Sequence, residues 1–570
     1  MSSPAEILKR YWGHDSFRPM QEDIIDAALR GEDVLAMLPT GGGKSVCFQV
    51  PAMLRDGVAV VITPLVALMK DQVQNLAARG IRAEALHAGM TRREMDTVLN
   101  NTAFGDVKFL YVSPERLSSP LFLSWLVEMR VCFIVVDEAH CISQWGYDFR
   151  PDYLRIGEIR TRVEAPLIAL TATATPEVVT DIMDKLSFGK PLVLKSSFER
   201  PNLSYVVRQC EDKNGQLLAI CRAVPGSGIV YMRHRRRCEE IAAFMKEQGI
   251  EASFYHAGLP PSERSERQEA WKRGDIRVMV CTNAFGMGID KPDVRFVVHL
   301  EVPDGIESYF QEAGRAGRDG KRSYAVLLWN ARDIRRQRDL LEGSFPTLET
   351  IEDIYYKLHV FYDIPYNAGE GRRLMFDIKA FASRFSLNIA TVRNSLRYLE
   401  RSDHISWSED VDTSTLVRFT VEREALYGID LPESGMETVL EQLMRNYTGI
   451  FSHLVAIDED ALASACGLGI PRLRVLLYRL SLEHVIRYVP CDHGDVIVLH
   501  HSRLEPGNLD LKPALHARLR QTAEKRFEAI AAYAMSADTC RSRLLLSYFG
   551  QTDSADCGHC DVCLSNRKTK

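Results

Sequence analysis

The fold class predicted is α/β: two parallel-sheet domains in tandem, then helical units carrying small antiparallel strands, then a cysteine-bearing C-terminal module. Three observations carry this expectation. Short β-branched apolar runs alternate with helix-length polar stretches over residues 1–205. The alternation restarts after Arg200-Pro201-Asn202 and runs through 206–344, after which it stops. Four of the thirteen cysteines then cluster near the end of the 570-residue chain.

In the first domain the runs are 34–38, 58–63, 108–113, 131–136 and 167–170. In the second they are 228–232, 277–282, 296–300 and 324–328. Continuous apolar runs, rather than alternating ones, suit strands covered on both faces by crossover helices. Two such domains in series leave a cleft between them, a natural place for a shared ligand.

Residues 345–430 and 431–510 read as two small units. In the first, 376–385 and 389–400 are helical, with Val392, Leu396 and Leu399 on one face, followed by strand-like 405–407 and 416–421. The second repeats the plan. Helix 458–466, a Gly-Leu-Gly turn and a helix with Ile470, Leu473, Leu477 and Leu480 on one face precede 485–490 and 496–500, which flank Asp492-His493-Gly494-Asp495 as a hairpin. Helix, turn, helix, hairpin is a winged-helix plan, for which DNA contact and protein docking both remain open. Residues 511–570 form the last module.

Bulk properties narrow the partners. A net charge of −5 argues against a wholly basic nucleic-acid binder but allows grooves lined locally by Arg and Lys. No apolar run approaches the roughly 18 residues of a spanning helix, and the polar start Met1-Ser2-Ser3-Pro4-Ala5-Glu6 is unlike a signal peptide. The nine scattered cysteines suit buried thiols in a reducing compartment. A soluble cytoplasmic protein without membrane contact is expected, with the monomer as its expected state.

The chemistry begins at Leu38-Pro39-Thr40-Gly41-Gly42-Gly43-Lys44-Ser45, between an apolar strand and a helix. Thr40 and the three glycines would wrap phosphate oxygens, Lys44 would reach the β- and γ-phosphates, and Ser45 would ligate Mg²⁺. Leu38 stands where the general pattern has its first glycine. Asp137 and Glu138 follow the 131–136 run. Asp137 is placed to hold Mg²⁺ and Glu138 to orient and deprotonate the attacking water. Directly after them, residues 139–151 carry three aromatics and Arg150, a composition that grips unstacked bases.

In the second domain, Arg315 and Arg318 in Gln311-Glu312-Ala313-Gly314-Arg315-Ala316-Gly317-Arg318 are expected to cross the cleft as arginine fingers. Gln21 can pair with an adenine edge. Thr171 and Thr173 end a strand with hydroxyls fit for a relay. The Gly-punctuated loop containing Thr282 suits backbone contact with a strand. Cys540, Cys557, Cys560 and Cys563 have the spacing of a tetrahedral Zn²⁺ site. An iron–sulfur cluster fits the same spacing, but the Cys-Pro that usually ends such a run is absent. His559 is an alternative ligand or a bystander.

With these residues assembled, the chain resembles the RecQ family of DNA helicases, within helicase superfamily two. The matching blocks are Phe17-Arg18-Pro19-Met20-Gln21 and residues 39–45, 63–72, 111–117, 137–151, 255–259, 284–288 and 311–320, in the family's order. The resemblance implies two RecA-like domains, a zinc module, and ATP hydrolysis driving 3′-to-5′ movement on single-stranded DNA with unwinding of tailed or branched duplexes. It implies service in recombination, repair or replication, association with the nucleoid in a bacterium, and a single-strand-binding protein as a candidate partner. It places Arg18 and Gln21 on adenine with His14 stacking nearby. Trp145 and Phe149 would couple DNA to ATP turnover, with Thr63, Arg150 and Thr282 beside the strand.

Two departures stand out. Tyr147 replaces the His usual in the aromatic loop. The zinc module normally follows the core directly, whereas here 345–510 intervenes as an insertion and 512–540 resembles the helix leading into that module. An RNA helicase, and a DNA-stimulated ATPase clamp that does not unwind, are the competing expectations.

Overall fold

A computed structural model of the chain describes all residues except 1–2, 40, 88–89, 91, 147, 287–290, 413–414, 424–425, 427–432, 491–492 and 569–570. Two compact units divide it: Met1–Gly343 with Pro513–Lys570, and Ser344–Lys512.

The first unit contains two parallel sheets. Strands β1 (Val34–Met37), β2 (Val58–Ile62), β3 (Ala83–Leu86), β4 (Phe109–Val112), β5 (Val131–Val136), β6 (Leu167–Thr171) and β7 (Leu192–Lys195) lie in the order β3-β4-β2-β5-β6-β1-β7. Strands β8 (Leu203–Gln209), β9 (Ser227–Tyr231), β10 (Ala252–Tyr255), β11 (Val278–Cys281), β12 (Val294–His299) and β13 (Ser323–Trp329) lie in the order β10-β11-β9-β12-β13-β8. Helices cover both faces, so central strands such as Val58–Ile62 are buried throughout. The carboxyl ends of β1 and β5 come together because β6 alone separates them, and the segments after these two strands carry the glycine loop with Lys44 and the carboxylates Asp137 and Glu138.

The C-terminal helices pack onto this unit. Phe549 meets Phe198 and Phe310 at centroid distances of 5.2 and 5.1 Å. Arg541 pairs with Asp561 at 3.0 Å, and the same carboxylate accepts the Val207 backbone N–H of edge strand β8 at 3.1 Å. Lys195 donates to the Phe549 carbonyl at 2.8 Å, which ties the module to the end of edge strand β7.

The second unit departs from the two separate hairpins expected. Its strands are β14 (Arg373–Phe376), β15 (Ile405–Asp412), β16 (Thr415–Phe419), β17 (Val455–Ile457), β18 (Ile486–Val489) and β19 (His493–Leu499). β15 pairs with β19 and β16 with β18, both antiparallel, so neither β15–β16 nor β18–β19 forms a hairpin. Residues 415–489 are thereby nested within the wing of the first winged unit. The long-range pairing sorts the buried faces. Ile405 and Trp407 sit opposite Leu499 and Ile497, all buried. Val417 and Phe419 face a separate core of Met436, Val439, Leu473 and Leu477. A local hairpin would mix the two cores.

One outcome follows from this register. Asp412 lies directly opposite His493, the geometry a two-residue Asn-Gly turn closes. Excising 413–492 with that turn should leave the first winged unit folded, giving one cooperative melt by circular dichroism. Loss of the melt would show that the nested module is integral to it.

Candidate nucleotide cleft and strand-sensing loop

The phosphate loop turns on two left-handed glycines, Gly41 at φ 81° and Gly43 at φ 79°, before the helix Lys44–Leu54 begins. A Cβ on Gly43 would also push aside the Gln21 amide, which bonds to the carbonyls of this loop. Gln21 donates to the carbonyls of Gly43 at 3.0 Å and Gly42 at 3.3 Å, while its Oε1 accepts the Arg18 N–H at 2.9 Å. Arg18 donates to the Gly41 carbonyl. The pair expected at adenine therefore also braces the phosphate loop. His14 is exposed on the preceding loop, and Ser45 is the second residue of the helix. Thr40 and Tyr147 lie outside the described residues.

Lys44 Nζ stands 2.8 Å from Glu138 Oε1 and 3.9 Å from Asp137 Oδ1. Burial pushes Asp137 up to about 6 against the pull of Lys44. For Glu138 burial is again the largest single influence, but Lys44, His140 and Arg315 together outweigh it and hold that carboxylate below its ordinary value. The two acids thus differ because Glu138 is the nearer to Lys44 and also feels His140 and Arg315, while Asp137 is raised further by the Glu138 charge. Glu138 takes φ 47°, a left-handed conformation rare for a side-chain-bearing residue, which swings the chain from β5 into the short helix Ala139–Ile142. His140, fully buried, has Nδ1 3.1 Å from Thr171 Oγ1 and 3.4 Å from Glu138 Oε2. This contact joins the carboxylate to the hydroxyl-bearing end of β6.

From the second sheet, Arg318 lays its side chain over the phosphate loop: a Cβ on Gly41 would sit 3.1 Å from Arg318 Cγ. Its charge bears on Lys44. Arg315 is buried, donates to the Gly286 carbonyl and lies near enough to Glu138 to help hold it ionised. Lys44, Asp137, Glu138, Arg315 and Arg318 accordingly occupy one locality.

The loop after the carboxylates is anchored by Arg150, which donates to the Pro64 carbonyl at 2.9 Å, one residue past the buried Thr63. Trp145 and Phe149 are half-buried, and Thr282 is buried at the end of β11. The guanidinium of Arg518 lies 3.7 Å from the Trp145 ring centroid, and Arg526 donates to the Trp145 carbonyl at 2.8 Å. Both come from the helix Pro513–Met535. Their spacing of eight residues could have marked one helix face, but no pattern in the sequence pointed that face at Trp145.

The four sulfurs of Cys540, Cys557, Cys560 and Cys563 lie within 4.8 Å of one another. The Cys560 and Cys540 sulfurs are 3.9 Å apart, and three of the four residues are buried. An all-thiolate donor set of this size fits Zn²⁺ held for structure. His559 instead has Nδ1 3.4 Å from Ser204 Oγ, making it a bystander. Structural zinc supplies roughly 10 kcal/mol of folding free energy. Cys560→Ser should therefore abolish the module's zinc, read by metal analysis, and lower the melting temperature. Unchanged zinc content would contradict the ligand set.

Four family models match in order: DEAD/DEAH box helicase over 18–182, helicase conserved C-terminal domain over 212–320, RecQ helicase winged-helix domain over 417–490 and RecQ zinc-binding over 508–564. The "Probable ATP-dependent DNA helicase RecS" of Bacillus subtilis is 42% identical over 360 residues, covering 62% of this chain and 72% of that protein. The chain belongs to the RecQ family. Its winged-helix match falls on the nested module, and the zinc-binding match contains the four cysteines. The "ATP-dependent DNA helicase RecQ" of Pasteurella multocida is 44% identical over 333 residues, 58% of this chain. The match spans about half, 52%, of that relative's length. The crystal structure of the DUF1998 helicase MrfA bound to DNA aligns with a TM-score of 0.50 at 19% identity, covering 71% of this chain and 61% of that one. That likeness supports the fold. Among the described residues no single helix is long and apolar enough to cross a membrane.

Proposed function

We propose that the chain is an ATP-dependent DNA helicase that moves 3′ to 5′ along single-stranded DNA and opens tailed or branched duplexes in recombination, repair or replication. The observation that carries this is Arg318 of the second sheet lying on the phosphate loop of the first, in the locality of Lys44, Asp137 and Glu138. Family membership and the aromatic loop supply the DNA reading.

The residues suggest a sequence of events. A phosphate that takes up Lys44 draws the ammonium from Glu138 and leaves that carboxylate to receive a proton from water. Ser45 and Asp137 would hold Mg²⁺, which neutralises charge on the phosphate oxygens. Arg318, and Arg315 once released from Gly286, stabilise charge on the transferring phosphoryl group. Gln21 and Arg18, which brace the loop, would exchange part of that bracing for adenine. Closure of the two sheets on nucleotide then alternates with opening after release, and strand movement follows. Trp145 lies on the loop that begins immediately after Glu138, so displacement of the loop by a base reaches the carboxylate through few bonds.

Strand separation on a 3′-tailed duplex with ATP and Mg²⁺, beside a 5′-tailed duplex and an RNA control, tests this reading. Opening of the 3′-tailed DNA alone is expected. ATP turnover stimulated by DNA with neither duplex opened would favour the clamp. Trp145→Ala should lose about tenfold in DNA-stimulated turnover, equivalent to removal of one stacked base, and less in DNA-free turnover. Equal losses would make Trp145 merely structural.

A further inference from the structure

Resting on the reading that the loop of Trp145 senses the strand, we infer that Arg526 is a positioning residue that links this loop to the helix leading to Arg315 and Arg318. Its guanidinium forks: Nη2 donates to the Trp145 carbonyl at 2.8 Å and Nε pairs with Glu307 Oε1 at 3.1 Å. Glu307 is only 4% exposed and also accepts the Tyr548 hydroxyl at 2.7 Å, so this carboxylate is committed to the C-terminal helices. It is the second residue of the helix Ile306–Ala313, and Arg315 and Arg318 follow directly after that helix. Contacts thus run from the loop main chain through Arg526 to Glu307, and the helix Ile306–Ala313 itself continues to the cleft arginines.

The bond to a backbone carbonyl matters because it reports where the loop stands rather than which side chain it carries. Arg518 completes the grip by covering the Trp145 ring, so a base stacking on that face must displace a cation. Beside the contact lies a cavity of about 510 Å³ lined by Asp148, Arg150, Glu307, Arg315 and Arg526, which gives the loop room for a second position. The C-terminal helix is therefore part of the coupling path as well as a support for the zinc module.

Arg526→Lys keeps a cation for Glu307 but loses the planar fork that reaches Trp145. In the full chain, the ratio of oligo-dT-stimulated to DNA-free ATP turnover should fall about fivefold or more. Tyr548→Phe removes a bond to the same Glu307 and leaves the Trp145 contact, so its ratio should stay within about twofold even if its melting temperature falls as far. An unchanged ratio in Arg526→Lys, or a loss in both variants that tracks their melting temperatures, overturns the inference. Should Arg526→Lys fail to fold, Glu307→Gln serves instead, since it weakens the same link from its other end; a loss of about threefold is expected and an unchanged ratio counts against the inference. Trp145→Ala separates the two levels. If it keeps stimulation, the sensing role itself fails; if it loses stimulation while Arg526→Lys does not, only the positioning role fails.

Discussion

Lys44→Ala is expected to lower ATP turnover about a thousandfold, the effect of removing a preorganised charge aimed at developing phosphate charge. Lys44 packs, half-buried, against two carboxylates, 2.8 Å from Glu138 and 3.9 Å from Asp137. The substitution thus has two consequences. It removes the cation that meets the phosphates, and it leaves adjacent acids without their shared counter-charge. Burial would then raise both toward their neutral forms, costing Glu138 its capacity as a base. Single-stranded DNA binding, which rests on other residues in this account, should persist and can be followed by fluorescence anisotropy. Retained turnover would contradict the assignment of the phosphate loop, and loss of both turnover and DNA binding would point to misfolding.

What the chain discloses before folding depends on where a residue ends up. The strands expected from apolar runs are the interior ones, because both faces of a central parallel strand demand apolar residues. The four that pass unnoticed, β3, β7, β8 and β10, are the two edges of each sheet. Ala83–Leu86 carries Glu84, and Leu192–Lys195 is largely exposed. An edge strand is covered less, so its composition is less constrained. The winged units show the opposite difficulty. Four of their strands, β15, β16, β18 and β19, are legible but β14 and β17 are not, and the partners are hidden because short spacing suggests hairpins while only the sorting of two cores selects β15 with β19 and β16 with β18.

The site divides in the same manner. Lys44, Asp137 and Glu138 could be read because they lie on the segments that leave β1 and β5, at the sheet end where ligands collect. That Gln21 and Arg18 brace Gly41, Gly42 and Gly43 depends on packing between neighbouring helices, beyond any local pattern. The grip of Arg526 on Trp145 joins residues 381 positions apart, and no motif records it.

The central claim is that one nucleotide is acted on from both sheets. Arg318 tests it most directly, because it is the residue of the second sheet whose side chain lies on the phosphate loop, against Gly41. Steady-state ATP hydrolysis by Arg318→Ala, at saturating ATP, Mg²⁺ and single-stranded DNA, separates the possibilities. The account predicts a fall in kcat of about a thousandfold, the scale of a missing arginine finger, with KM for ATP changed far less. A kcat equal to that of the unaltered chain would contradict it, since the first sheet would then hydrolyse ATP unaided.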